Sequence, residues 1–142
     1  MKYETFFLAS RVTRRDHYIH HIKGVLPVKI ISSDKIKGKE INLPDVENVI
    51  MKALITKNEG APTFALRQFE LGINGHTPCH KHPWEHEVYI LEGMGELVSE
   101  NTSTPLVPGN AVFVPGEEIH QFRNRGEGIF KFLCIVPNEG HG

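Results

Sequence analysis

Short apolar runs, separated by turns rich in glycine, proline and polar residues, dominate the chain from about residue 49 onward. Two examples are Val49–Thr56 (VIMKALIT) and Thr63–Leu71 (TFALRQFEL), which are rich in strand-forming residues and flank the turn KNEGAP. Similar runs follow at HEVYIL, ELVSE, AVFV, IHQF and IFKFLCIV. Strands of this length and spacing, without a long helical repeat, predict an all-β antiparallel sandwich or barrel.

Alternation along the strands predicts which side chains face the interior, because neighbouring residues of a strand point to opposite faces. From His86 onward, one choice places His86, Val88 and Ile90 inside and leaves Glu87 and Tyr89 outside. The opposite choice would bury Glu87, so the first is preferred. The same reasoning groups His120 with Phe122, and it places a further set inside, opposite Lys131: Phe130, Phe132, Cys134 and Val136.

Three histidines lie close together in the stretch HKHPWEH. His80 and His82 share a strand face, and His86, beyond a bend at the proline, can reach the same point in space. Imidazole is a ligand for divalent first-row metals, so this spacing favours a metal site over isolated surface or core histidines. Among the other histidines, His120 is the one flanked by strand-like sequence and turns, and it is the candidate fourth ligand.

With these residues in place, the sequence resembles the cupins over about residues 50–137. The first cupin motif matches HKH, then His86 after three residues, then Gly93 after six more. The second motif matches GNAVFVPGEEIHQFRN (Gly109–Asn124), which contains His120. The resemblance implies a single cupin double-stranded β-helix, or jelly-roll barrel, with an N-terminal extension. The expected domains are an N-terminal arm, residues 1–48, and the cupin barrel, residues 49–142.

By position, the resemblance implies one metal held by four histidines: His80, His82, His86 and His120. The sequence departs from the usual motifs at two places, because His86 stands where a glutamate ligand is usual and Glu117 replaces the glycine of P-x-G. The sequence HPWEHE is similar to the corresponding stretch of small cupins with four histidine ligands, which are often found with manganese. We expect one divalent transition metal per chain, manganese first, with iron, nickel, copper and zinc as alternatives. Glu85 and Glu87 are not expected to bind it.

The resemblance also implies a barrel mouth in which a small organic molecule meets the metal. Its predicted lining is apolar: Val88, Ile90, Phe113, Phe122, Phe132 and Cys134. The first functional hypothesis is a metal-dependent oxidoreductase of the dioxygenase-like class. The alternatives are a module that binds a carboxylate or sugar acid without turnover, and an isomerase or epimerase of a sugar derivative. No residue stands out as a general base, so the catalytic residues are left unassigned.

Length and charge narrow the remaining possibilities. The 142 residues suffice for one domain. No run of about 18 apolar residues occurs, so we expect a cytoplasmic protein without a membrane segment. Cys79 and Cys134 are expected to stay reduced.

The first part of the chain is basic and the rest is acidic. Residues 1–40 carry nine Lys/Arg and four Asp/Glu. This asymmetry favours a solvated arm, or an arm that docks on a second subunit, over a nucleic-acid-binding arm. The resemblance to small cupins, which are commonly dimers, implies a homodimer in which such an arm can exchange a strand. The arm's three histidines, His17, His20 and His21, are interpreted as surface residues.

Overall fold

The computed structural model describes residues 27–141, and antiparallel strands form almost all of their regular structure. One nine-stranded sheet curls into a barrel. The strands are β1 (Lys39–Glu40), β2 (Glu47–Ile55), β3 (Phe64–His76), β4 (His86–Glu92), β5 (Gly95–Ser99), β6 (Ser103–Leu106), β7 (Ala111–Val114), β8 (His120–Asn124) and β9 (Phe130–Pro137). Short 3-10 turns occupy Ser33–Lys35, Lys57–Glu59 and Asn138–Gly140. The all-β class and the barrel predicted from the strand pattern are confirmed.

The long strand β3 connects the two halves of the barrel. Neighbouring strands follow the order β6-β5-β8-β3-β9-β4-β7, and the β1–β2 pair adds to β3 through β2. The first part of β3 pairs with β9, from Phe64 opposite Pro137 to Leu71 opposite Phe130. Its last residue, His76, lies opposite Arg123 of β8. Because one strand pairs with different neighbours along its length, the sheet curls, and its inner face encloses the core.

Alternating burial confirms the predicted inner faces of β4 and β9. In β4, His86, Val88 and Ile90 are buried, while Glu87 and Tyr89 are exposed. In β9, every second residue is buried, namely Phe130, Phe132, Cys134 and Val136. Each strand has a charged residue on its outer face, so only one orientation avoids burying a charge.

The prediction for Phe113 is wrong. Its side chain is 60% exposed, on the outer face of β7, opposite the exposed Glu87 of β4. Val112 and Val114 face the core instead. All four residues of β7 are apolar, so no polar side chain in this strand marks which face is in contact with water.

The described part of the N-terminal region contains one 3-10 turn and the short strand β1, which pairs with β2. Residues 1–26, with most of the predicted arm and its three histidines, lie outside the described residues. Strand exchange by the arm therefore stays a prediction. Within residues 27–141, no helix has the length and hydropathy that a membrane crossing requires.

Candidate metal centre

Four imidazole rings meet at one end of the barrel. His86 begins β4 and His120 begins β8, while His80 and His82 lie in the segment between β3 and β4. His80 is held to His120 by a two-way backbone bridge, with N–O distances of 3.2 and 2.9 Å. The ring centroids of His82 lie 5.1 Å from His80, 4.5 Å from His86 and 5.0 Å from His120. The structure thus brings together all four histidines that the sequence predicted as ligands.

The turn before β8 fixes the position of His82. The backbone N–H of Glu117 donates to the His82 carbonyl at 2.7 Å. This requires a left-handed backbone at Glu117, whose φ is 64°. Gly116 is equally restricted, because a Cβ atom there would lie 2.2 Å from the carbonyl oxygen of Pro83. Glu117 therefore occupies a conformation that suits glycine better, and glycine is the residue that the cupin motif usually has at this position.

Hydrogen bonds to the Nδ1 atoms orient the rings. Nδ1–H of His82 donates to the carbonyl of Trp84 at 2.8 Å, and Nδ1–H of His120 donates to the carbonyl of Glu118 at 2.8 Å. A carbonyl can only accept, so these contacts leave the Nε2 atoms of both rings with a lone pair. The indole of Trp84 also stacks on His82, with centroids 4.5 Å apart. Such outer contacts are typical of histidines that bind a metal through Nε2.

The inward nitrogens fit a divalent metal. Nε2 of His120 is buried and has no hydrogen-bond partner among the described residues. One ring nitrogen from each of His80, His82 and His120 lies within 4.8 Å of the other two. Nε2 of His86 lies 2.6 Å from Nε2 of His82. The free lone pair on Nε2 of His120 and the ring nitrogens clustered beside it form a donor set suited to a first-row metal ion.

Burial favours the neutral form of three of these imidazoles, His80, His86 and His120, by lowering their pKa values, and neutral imidazole is the form that binds metal. It lowers the pKa of His80 to about 4, with help from the neighbouring His120 and His82. It lowers the pKa of His86 to about 3, and the pKa of His120 in the same direction. His80 is exposed as a whole residue, whereas His86 is buried, and its pKa is lowered further. The neighbouring acids do not join the site, since Glu85 and Glu87 are both exposed.

A cavity of about 100 Å³ adjoins the histidines. It is lined by Arg67, Phe69, Thr77, Pro78, His80, His86, His120, Phe122, Phe132 and Cys134. Three predicted pocket residues line it: Phe122, Phe132 and Cys134. Val88 and Ile90 are buried in the core and do not line it, and Phe113 lies outside. A larger groove of about 420 Å³ near β1 and β2 has no histidine in its lining, so the smaller cavity is the candidate site.

Four lining residues were not predicted from the sequence: Arg67, Phe69, Thr77 and Pro78. Arg67 and Phe69 lie on β3 in the same alternation as the buried Ala65 and Leu71. This alternation in the sequence is the feature that could have predicted an inward-facing Arg67 side chain.

Cys134 links this wall of the cavity to a histidine. Its Sγ lies 3.0 Å from Nδ1 of His86 and accepts a hydrogen bond from Nη2 of Arg67 at 3.2 Å. Burial raises the pKa of the Cys134 thiol, although Arg67 acts in the opposite direction. The thiol is therefore neutral at pH 7 and lies behind the His86 ring, on the side away from the other imidazoles.

Comparison with known proteins agrees with this geometry. The family model for the cupin domain matches residues 67–136, which include all four histidines. The 1-methylthio-D-xylulose 5-phosphate methylsulfurylase of Rhodospirillum rubrum is 32% identical over 106 residues, which cover 75% of this chain and 67% of that protein.

Solved structures share the same barrel. The polyketide cyclase RemF from Streptomyces resistomycificus is 33% identical, with a TM-score of 0.75 over 79% of this chain and 80% of the other. A predicted oxalate decarboxylase from Thermotoga maritima is 25% identical, with a TM-score of 0.69 over 77% of this chain and 98% of the other. The double-stranded β-helix predicted from the sequence is confirmed by these matches.

Proposed function

This chain belongs to the cupin family, and from that premise we propose that it is a metal-dependent enzyme acting on a small organic substrate in the barrel. One divalent transition metal would be held by His80, His82, His86 and His120. The observation that carries the proposal is the convergence of imidazole nitrogens around the buried Nε2 of His120, which has no hydrogen-bond partner among the described residues. Manganese is the first candidate, with iron, nickel, copper and zinc as alternatives, because imidazole ligands suit all of them.

Dioxygenase-like oxidation is the reaction that we place first. When bound, a redox-capable metal supplies Lewis-acid and one-electron chemistry. The protein would supply an apolar enclosure, since Phe69, Phe122 and Phe132 form much of the cavity wall and keep water from the substrate. No carboxylate belongs to the lining described above, which speaks against the isomerase or epimerase alternative, because that chemistry needs a base beside the substrate.

Binding without turnover is the second candidate. It is supported by the same lack of a carboxylate in the described lining, because ligand capture needs no general base. The relatives do not decide between the two, since the proteins named a methylsulfurylase and a polyketide cyclase share one scaffold under different names. The scaffold alone therefore does not specify the reaction.

Metal analysis of the purified protein tests the proposal. We expect about one transition metal per chain in the wild type after reconstitution, and a loss of metal in His86→Ala. His76→Ala is the matched control, because His76 lies outside the four-ring cluster and contacts Thr77 and Gln121 instead. A wild type without metal, or a His86→Ala variant that keeps its full content, would contradict the metal centre.

Oxygen uptake then separates the two functions. For an oxidase or dioxygenase, oxygen consumption should depend on both metal and substrate and should be abolished in His86→Ala. For a binding module, a bound small molecule should be recovered unchanged and without oxygen consumption.

We also propose that the protein is a cytoplasmic homodimer. The outer face of β7, β4 and β9 exposes Phe113, Tyr89 and Leu91 next to the half-buried Leu133 and Ile135. This surface is apolar except for Glu87, which lies between Phe113 and Ile135, and exposed apolar surface of this kind is often covered by a subunit interface.

A further inference from the structure

The positively charged side chain of Arg67 lines the cavity beside the histidines. Arg67 extends from β3, and its guanidinium carbon lies 5.3 Å from the centre of the Phe69 ring. Its Nη2 donates to Sγ of Cys134, and the same sulfur contacts Nδ1 of His86. Cys134 therefore links Arg67 to His86. Arg67 therefore lies within electrostatic range of the candidate metal centre.

The hydrogen-bonding capacity of Arg67 is largely unused. Its Nε–H is buried and has no partner among residues 27–141. None of the ion pairs formed by these residues involves Arg67. The thiol that accepts from Nη2 is a weak and neutral acceptor. A guanidinium in such surroundings is costly, and the cost increases when a second cation binds nearby. A structural arginine would instead have its donors satisfied within the protein.

We propose that Arg67 is the residue that binds a carboxylate group of the substrate, so that the site takes a small organic carboxylate. This assignment of the substrate class rests on the proposed function. The carboxylate would lie between two cationic groups, the guanidinium on β3 and the metal at the histidines, and would compensate both charges. The planar guanidinium suits the two oxygens of a carboxylate, and Arg67 lines the cavity.

The size and the lining of the cavity define the uncharged part of the substrate. A volume of about 100 Å³ admits a compound of only a few heavy atoms. Phe69, Phe122 and Phe132 contact the part of the substrate that carries no charge, while Thr77 offers the one hydroxyl of the lining. The site should therefore favour a short carboxylate with a compact apolar or carbonyl-bearing remainder.

Calorimetric titration with pyruvate tests the assignment. Methyl pyruvate is the uncharged counterpart, and inorganic phosphate is a second anion. The manganese-loaded and the metal-free protein are both titrated, beside Arg67→Met, Arg67→Lys and the control Arg125→Met. Arg125 is an exposed arginine that pairs with Glu96 and does not line the cavity.

We expect the wild type and Arg125→Met to bind pyruvate more tightly than methyl pyruvate. Arg67→Met should lose about 10- to 100-fold in pyruvate affinity, as expected when a charged hydrogen-bond partner is removed. Arg67→Lys should lie between, because it keeps the charge without the planar fork. Metal content should be equal in all variants, because Arg67 is not a ligand.

Equal pyruvate affinity in the wild type and in both Arg67 variants would overturn the assignment while leaving the metal centre intact. No binding of pyruvate by the wild type, with or without metal, would also overturn it. Tighter, Arg67-dependent binding of phosphate would overturn the carboxylate class. If Arg67→Met does not fold, Arg67→Lys alone decides. If no form binds metal, the proposed function fails, and the Arg67 dependence in metal-free protein still decides this assignment.

Discussion

Replacing Arg67 by methionine should stabilise the metal-free protein, although it removes a residue of the site. Methionine keeps an unbranched apolar stem of similar length and can remain packed against Phe69. It removes a buried donor without a partner and a charge that forms no ion pair among the described residues. If the guanidinium is there for a ligand, the protein without ligand bears its cost.

The expected gain follows from the individual contacts. A buried, unsatisfied donor such as Nε–H costs about 1–3 kcal/mol. The lost hydrogen bond from Nη2 to Cys134 contributes at most about 1 kcal/mol, because its acceptor is a neutral sulfur. The cation–π contact with Phe69 is replaced by a thioether–aromatic contact of similar strength. The net gain is therefore about 1 kcal/mol, or roughly 2–4 °C in Tm for a domain of this size.

Urea unfolding in the presence of a chelator measures this difference. Arg67→Lys should show no gain, because it keeps the positive charge, and Arg125→Met should show none, because Arg125 is exposed. A loss of more than about 1 kcal/mol in Arg67→Met would refute the reasoning. It would mean that the guanidinium holds Cys134 and the barrel wall together and is not reserved for a ligand.

Three further expectations concern acid stability, backbone strain and assembly. In the metal-free protein, the pKa values of His80 and His86 are lowered to about 4 and 3. The unfolded chain, with histidine pKa values of about 6.5, therefore binds protons first. The free energy of unfolding should be fully retained above about pH 6.5 and should decrease as the pH is lowered from there to about pH 4. The midpoint of urea unfolding, measured across this pH range, tests this. A midpoint that does not change with pH would contradict the prediction. Glu117→Gly should raise the free energy of unfolding by about 0.5–1 kcal/mol, because glycine adopts the left-handed backbone at φ 64° without strain. Thermal unfolding measures the difference. A variant with a lower Tm than the wild type would show that this position is not strained. Placing lysine at both Tyr89 and Phe113 should convert a dimer to a monomer by light scattering, and a wild type that is already monomeric removes the proposal.

The sequence predicted the fold well where charge marks one face of a strand. Glu87 and Lys131 show which side of β4 and β9 is in contact with water, and both strands have the predicted orientation. In β7, all four residues are apolar, and Phe113 was placed on the wrong face. Alternation thus predicts orientation only when the two faces differ in polarity.

The histidines could be found from the sequence because three of them are neighbours in it, whereas Arg67 could not be associated with them from spacing. Arg67 precedes His80 by 13 positions and reaches the site from a different strand. Its contact with Cys134 joins residues 67 positions apart. An arginine in a strand is usually exposed, so its inward alternation with Phe69 and Leu71 carried too little weight without the structure.

The division of the site between two walls has a consequence for specificity. The metal-binding wall comes from the two motif stretches, whose turns and backbone bridges fix the four histidines. The opposite wall comes from β3 and β9, where Arg67, Phe69 and Phe132 pack beside one another. The β3 residues lie outside both motifs, and Arg67 is linked to His86 through Cys134. Substrate class should therefore follow from β3 and metal binding from the motifs, and exchanging Arg67 should alter which molecules bind while the metal content stays the same.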